Sequence, residues 1–116
     1  GYAYKGKTED ESAMIMADAK AVADAGAFCV VIECATSTLA AKVTEALDIP
    51  VIGIGAGAET DGQIIVISDM LGMNEGKQPK FVKQYANIRD EAIAAVQQYM
   101  SDVEGGNFPS VDHIYE

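Results

Sequence analysis

Two apolar runs separated by a helical signal constrain this chain more than any other feature. The first is Phe28-Cys29-Val30-Val31-Ile32-Glu33 and the second Ile49-Pro50-Val51-Ile52-Gly53-Ile54-Gly55-Ala56-Gly57. Runs apolar along their whole length suit strands covered on both faces, as in a parallel sheet; strands with one wet face alternate instead. The fold class this predicts is α/β, built from parallel β/α units. In such folds ligands bind at the carboxyl ends of the strands. Glu33 and the Gly53–Gly57 turn both fall there.

Local signals place the helices. Thr8-Glu9-Asp10-Glu11 reads as a capping box, the Thr8 hydroxyl taking a free backbone N–H and Glu11 reaching back to Thr8. Met14, Ala17, Ala21 and Ala25 recur at helical spacing until Gly26 ends the helix. The strand Ala27–Glu33 follows, alternation setting Phe28, Val30 and Ile32 toward helices and Cys29, Val31 and Glu33 on the other side. Thr36 or Ser37 caps a second helix with Leu39, Val43, Ala46 and Leu47 on its apolar face.

Pro50 opens the next strand. Between Gly57 and Gln63 only five residues remain, too few for the crossover of about a dozen that parallel neighbours usually need. Residues 63–71 therefore read two ways. The β-branched Ile64-Ile65-Val66-Ile67 favours a short strand and then a helical turn, whereas Asp61 as a cap and Leu71-Gly72 as an end favour a helix. On the second reading the next strand is Lys80–Tyr85. Asn87 caps a final helix with Ala92, Val96, Met100 and Val103 on its apolar face, Gly105-Gly106 ends it, and 107–116 is a tail.

With 116 residues the chain can hold one core, and 49% hydrophobic residues exclude a disordered polymer. A net charge of −10 argues against nucleic acid and anionic membranes, which need clustered Lys and Arg. Lys77, Lys80 and Lys83, the densest basic group, read as a solvated face. No run approaches the roughly 20 apolar residues of a membrane span, and no signal-peptide core is present, so a cytoplasmic protein is expected. Cys29 and Cys34 fit reduced thiols and match no metal spacing, and His113 stands alone in the tail. A sheet of two to four parallel strands leaves unpaired edges and a thin core. Residues 1–116 are thus expected to be the latter part of a larger α/β body.

Glu33 ends an apolar strand, where burial would raise its pKa toward that of a general base; a structural ion pair is the alternative. Gly53, Gly55 and Gly57 would let a backbone approach a ligand closely. With Ala58 they fit G-x-G-x-x-A, but Glu59-Thr60-Asp61-Gly62 opens no long helix, so a close-fitting turn over a site is favoured over a dinucleotide fingerprint. Asp61 reads as a turn or cap and Asp69 as part of a helical turn. Ser37 and Ser68 lack a paired histidine, and Cys34 has no neighbouring base to activate it.

Gly6-Lys7-Thr8, Ala25-Gly26-Ala27-Phe28, Val31-Ile32-Glu33-Cys34, the run Ile49–Gly57, Asp61-Gly62-Gln63, Asp69-Met70-Leu71-Gly72, Pro79-Lys80-Phe81-Val82-Lys83 and Gly106-Asn107-Phe108-Pro109 occur in order. Together they resemble the second half of the ketopantoate hydroxymethyltransferase family. The resemblance implies a (β/α)8 TIM barrel of the phosphoenolpyruvate/pyruvate type, of which this chain is the C-terminal portion, with the N-terminal half of the same barrel as its partner. It also implies a homo-oligomer that transfers a hydroxymethyl group from 5,10-methylenetetrahydrofolate to 3-methyl-2-oxobutanoate, giving ketopantoate for pantothenate biosynthesis.

In that family Mg²⁺ chelates the keto acid and stabilises its enolate. By the motif match Glu33 is the implied proton acceptor, with Gly53, Gly55 and Gly57 as substrate-binding wall. The family's metal-binding acids and its keto-acid-binding serine and lysine lie in the first half, and no position here matches them, so no metal ligand is expected in this chain. Two other readings stay open: a non-catalytic remnant or small oligomeric binding domain, and another enolate-forming barrel lyase of the same superfamily.

Overall fold

The computed structural model describes residues 3–116. Among them the chain runs α1 (Glu9–Asp24), β1 (Val30–Glu33), α2 (Ser37–Ala46), β2 (Val51–Ile54), β3 (Gly62–Gln63), α3 (Ile67–Met70) and α4 (Ile88–Glu104), then a 3-10 turn at Val111–His113. It divides into two compact units. The first extends through Val66 and takes in Pro79–Val82; the second comprises Ile67–Gln78 and Lys83–Glu116.

The first unit is the α/β body expected. Its strands lie side by side in the order β1-β2-β3 and are parallel, with Val30 opposite Val51, Glu33 opposite Ile54 and Gly53 opposite Gln63. The sheet is open: the described residues form three strands and no closed barrel. The core lies between sheet and helices, where Ala19, Ile32, Leu39, Ala40, Val43 and Val51 are buried and Ile15, Met16 and Leu47 pack against them.

α1 starts where its cap predicts, Thr8 Oγ1 accepting the Glu11 N–H at 3.1 Å. The reciprocal half of the box differs, because the Glu11 carboxylate accepts from the Gly6 N–H rather than from Thr8. The buried stripe also differs from the expected one. Met14 is 66% exposed while Ala19 is buried and Ile15 packs on the core. Both stripes follow the three-to-four-residue helical spacing, so periodicity alone does not choose between them. The stripe that packs carries a branched hydrocarbon, Ile15, beside a small residue, Ala19, and the sheet selects that combination.

β1 is shorter than the expected Ala27–Glu33. Gly26, at φ +103°, turns the chain out of α1, and Ala27 still donates to Val22 O at 3.3 Å. Ladder bonding begins with Val30 N–H to Pro50 O at 2.9 Å, leaving Phe28 87% exposed. From there alternation holds: Ile32 is buried toward the helices, while Val31 and Glu33 are exposed on the other face. In α2, Thr36 is the cap, accepting from Leu39 N–H at 3.2 Å, and Ala40 rather than Ala46 completes the buried stripe with Leu39 and Val43.

β2 and β3 are parallel neighbours joined by residues 55–61 without a helix. The tight return uses left-handed Gly55 and Gly57. Asp61 then fastens it, its carboxylate accepting from Val51 N–H at 2.8 Å and its own N–H donating to Val51 O at 2.9 Å. Of the strand-then-turn reading of 63–71 the helical turn is present, beginning at Ile67, but the β-branched run Ile64–Ile67 forms no strand; the short strand is Gly62–Gln63. Lys80–Tyr85 forms no strand.

In the second unit Asn87 caps α4 by accepting from Asp90 N–H at 3.4 Å, and left-handed Gly106 follows its end. The expected apolar stripe exists but is uncovered: Val96, Met100 and Val103 are exposed, and no α4 residue is buried. The tail is anchored at its start. Asn107 N–H donates to Asp102 O at 2.7 Å, and the Phe108 ring meets Tyr99 edge-on at 5.6 Å. Among the described residues no helix is long and apolar enough to cross a membrane.

Candidate functional site

The carboxyl ends of β1 and β2 form one rim, and the glycine turn shapes it. A Cβ on Gly53 would lie 2.9 Å from Thr60 Oγ1, one on Gly55 2.8 Å from the Phe81 ring, and one on Gly57 2.5 Å from Ser37 Cβ. All three distances are shorter than packed carbon atoms tolerate. The glycines therefore let protein atoms close in: Phe81 seats on the turn from one side and the first residue of α2 from another. Gln63 braces the arrangement, its side-chain amide donating to Gly57 O at 2.7 Å and Thr60 Oγ1 at 3.0 Å.

Beside this turn is a cavity of about 810 Å³, within the size range of small-molecule sites. Cys34, the Gly55–Ala58 backbone, Gln63, Lys80 and Phe81 line it. Lys80 brings a positive charge and makes no ion pair among the described residues. The basic group is thus divided: Lys80 faces the cavity, whereas the Lys83 ammonium sits over the Tyr85 ring at 4.9 Å from its centroid. Phe81 and Lys80 carry no local signal of a site.

Glu33 is the last residue of β1 and is exposed on the face that also carries Val31. It does not line the cavity; the next residue does. The burial expected of Glu33 is not met among the described residues, because both helices of this unit pack on the opposite face. Cys34 is the one described non-glycine residue with positive φ, at +51°. That conformation costs an L-residue about 1–2 kcal/mol. It is held on both sides: its N–H donates to Ile54 O at 2.9 Å, and its carbonyl accepts from Lys5 N–H at 2.7 Å. Burial, and secondarily the Glu33 carboxylate, push the Cys34 thiol above its ordinary range. A thiol held protonated is a poor nucleophile, which agrees with the absence of an activating base in the sequence. Both Cys29 and Cys34 are free.

The other candidates have structural work. Asp61 closes the β2–β3 return, Asp69 accepts from the Asn74 amide, and His113 Nδ1 lies 2.8 Å from Ser110 Oγ. Ser37 packs against Gly57, and Ser68 lies in the turn α3. Among the described residues no group of three His, Cys, Asp or Glu side chains could hold a metal ion. The donor set of the described residues therefore does not fit Mg²⁺.

Comparison with known proteins bears on what this rim belongs to. Residues 1–111 match the sequence profile of the family described as Ketopantoate hydroxymethyltransferase. Three curated proteins named 3-methyl-2-oxobutanoate hydroxymethyltransferase are similar along nearly the whole chain. That of Syntrophus aciditrophicus is 50% identical over 99% of this chain and 42% of its own length. That of Streptomyces coelicolor is 50% identical over 97% and 39%, and that of Pyrobaculum aerophilum 47% identical over 100% and 44%. The chain thus spans about two fifths of the length of these relatives. With the profile running through both strands, the glycine turn and Phe81, the chain belongs to the ketopantoate hydroxymethyltransferase family.

Proposed function

We propose that this chain is the C-terminal part of a (β/α)8 barrel that transfers a hydroxymethyl group from 5,10-methylenetetrahydrofolate to 3-methyl-2-oxobutanoate, with Glu33 as the proton acceptor. The observation that carries this reading is the identity of about 50% along nearly the whole chain to curated proteins named for that activity. The parallel β-α-β unit and the rim at its carboxyl end are consistent with a section of such a barrel, whose sites lie at that end. A cytoplasmic homo-oligomer belongs to the same reading.

The chemistry assigned to this chain is a proton transfer. The Glu33 carboxylate takes the proton from C3 of the keto acid, and the C–H electron pair becomes the enolate. Water adds to the methylene carbon of the folate, its protons going to the two nitrogens as both C–N bonds break, so that tetrahydrofolate leaves and the one-carbon unit is freed at the formaldehyde level. C3 of the enolate bonds to that carbon, and its oxygen takes the proton back from Glu33 to become the hydroxyl. Closing the exposed face around Glu33 with the remainder of the barrel would exclude water from the proton transfer. The Mg²⁺ that the resemblance implies finds no donor set among the described residues, and no step is routed through it. Gly55 and Gly57 form the wall by letting Phe81 and α2 close in, while Gly53 lies outside the cavity lining and makes room for Thr60.

The test is exchange of the C3 proton of 3-methyl-2-oxobutanoate with solvent deuterium, followed by NMR in the full-length protein with Mg²⁺ present. Glu33→Gln is expected to slow exchange on the order of 10²-fold or more without loss of folding. Undiminished exchange in that variant removes the base assignment. No exchange in the unsubstituted protein removes the transferase reading and favours a binding domain. Turnover that does not need the folate points to an enolate-forming lyase.

A further inference from the structure

The geometry points to Cys34 as a positioning residue for Glu33 that acts through its left-handed backbone and not through its thiol, an inference that rests on the role proposed for Glu33. β1 and β2 end at the same level. Glu33 and Ile54 are the last paired residues, and the next residue of each strand, Cys34 at φ +51° and Gly55 at φ +65°, is left-handed. Both residues line the cavity. Two adjacent parallel strands thus turn off together, one of them using a residue that pays a steric penalty for the conformation.

The consequence can be read from burial. Continued pleating past Glu33 would put Ala35 on the same face as Glu33, since residues i and i+2 share a face. Ala35 is instead buried in the core with Leu39 and Val43. The left-handed step at Cys34 breaks the alternation, sending residue 35 inward while Glu33 keeps the opposite face. The backbone is pinned around this step by Cys34 N–H to Ile54 O, Lys5 N–H to Cys34 O and Thr36 N–H to Lys5 O. Thr36 then caps α2. Without the left-handed residue, either Ala35 leaves the core or the end of β1 rotates, and rotation moves the Glu33 carboxylate. Among the described residues the thiol makes no hydrogen bond, and its surroundings favour its protonated form.

Replacing Cys34 by Gly, Ala and Val in the full-length protein tests this. In an extended strand Ala is more stable than Gly, whereas at a left-handed position the order reverses. A β-branched side chain is the least tolerated there. The expected order of thermal midpoints is Cys34→Gly above Cys34→Ala above Cys34→Val. C3 proton exchange should fall in the same order, with Cys34→Val at least tenfold below Cys34→Gly and the loss residing in kcat rather than KM. Cys34→Ala more stable than Cys34→Gly would overturn the backbone claim even if the protein showed no exchange at all. Exchange abolished equally in all three would assign the role to the thiol and overturn the proposal. Equal exchange in all three would remove any positioning role. Failure of the base assignment is read separately, from Glu33→Gln.

Discussion

At the level of single residues, the glycines separate conformational need from spatial need. Gly26 and Gly57 both have positive φ, but a Cβ at Gly26 meets nothing within 4 Å, whereas at Gly57 it would lie 2.5 Å from Ser37 Cβ. Gly57→Ala is therefore expected to destabilise by about 2–4 kcal/mol, combining strain and overpacking, and Gly26→Ala by about 1 kcal/mol, from strain alone. Chemical denaturation of the two variants measures the gap. The raised Cys34 thiol has a signed pH consequence. Because the folded chain holds the proton above the ordinary 9.0, the unfolded chain releases it first. The associated stability is complete below pH 9 and is lost as pH rises through the folded value. Iodoacetamide at pH 8 should accordingly modify Cys34 more slowly in native protein than in urea, with mass spectrometry reading the adduct. Equal rates would contradict the shift. The existence of the Gly53–Gly57 turn and the place of Glu33 at the end of β1 were legible from residue order. Which atoms fill the glycines' space was not, since Phe81 is 26 residues from Gly55 in sequence and only folding brings the two together.

At the level of elements, the caps were legible and the faces were less so. Thr8, Thr36 and Asn87 each accept the N–H three residues on, because this contact depends only on residue type and three-residue spacing. Thr36→Ala should cost about 1 kcal/mol, and because Leu39 is a buried member of the core, Leu39→Ala should cost about 2–5 kcal/mol; urea titration of both variants checks the ratio. The buried side of α1 could not be read, since Met14-Ala17-Ala21-Ala25 and the stripe through Ile15 and Ala19 have the same helical period. The start of β1 was misplaced for a related reason. Phe28 has high strand propensity, but the exit from α1 through left-handed Gly26 carries it past the ladder, and geometry overrides propensity there. The β2–β3 return also departs from expectation, as glycine turns and Asp61 shorten a connection that usually takes a helix.

At the level of the whole molecule, what the described residues leave uncovered matches what the length comparison implies. β1 is at the edge of the sheet, and since Val30 and Cys34 direct their N–H groups toward β2, those of Val31 and Glu33 point to the open side by alternation. If the remainder of a barrel pairs there, deuterium uptake at Val31 and Glu33 will be fast in this 116-residue chain and slow in full-length protein. Equal uptake would show that the edge stays free. Residue order alone was enough for the class of the fold, the parallel strands, the helix starts and the family, because each depends on local pattern or on residues in a fixed order. Tertiary structure decided which helical stripe is buried, that Phe81 and Lys80 join the glycine turn, and that Cys34 is left-handed. Those outcomes depend on atoms distant in sequence meeting in a packed space, and no local pattern carries that information.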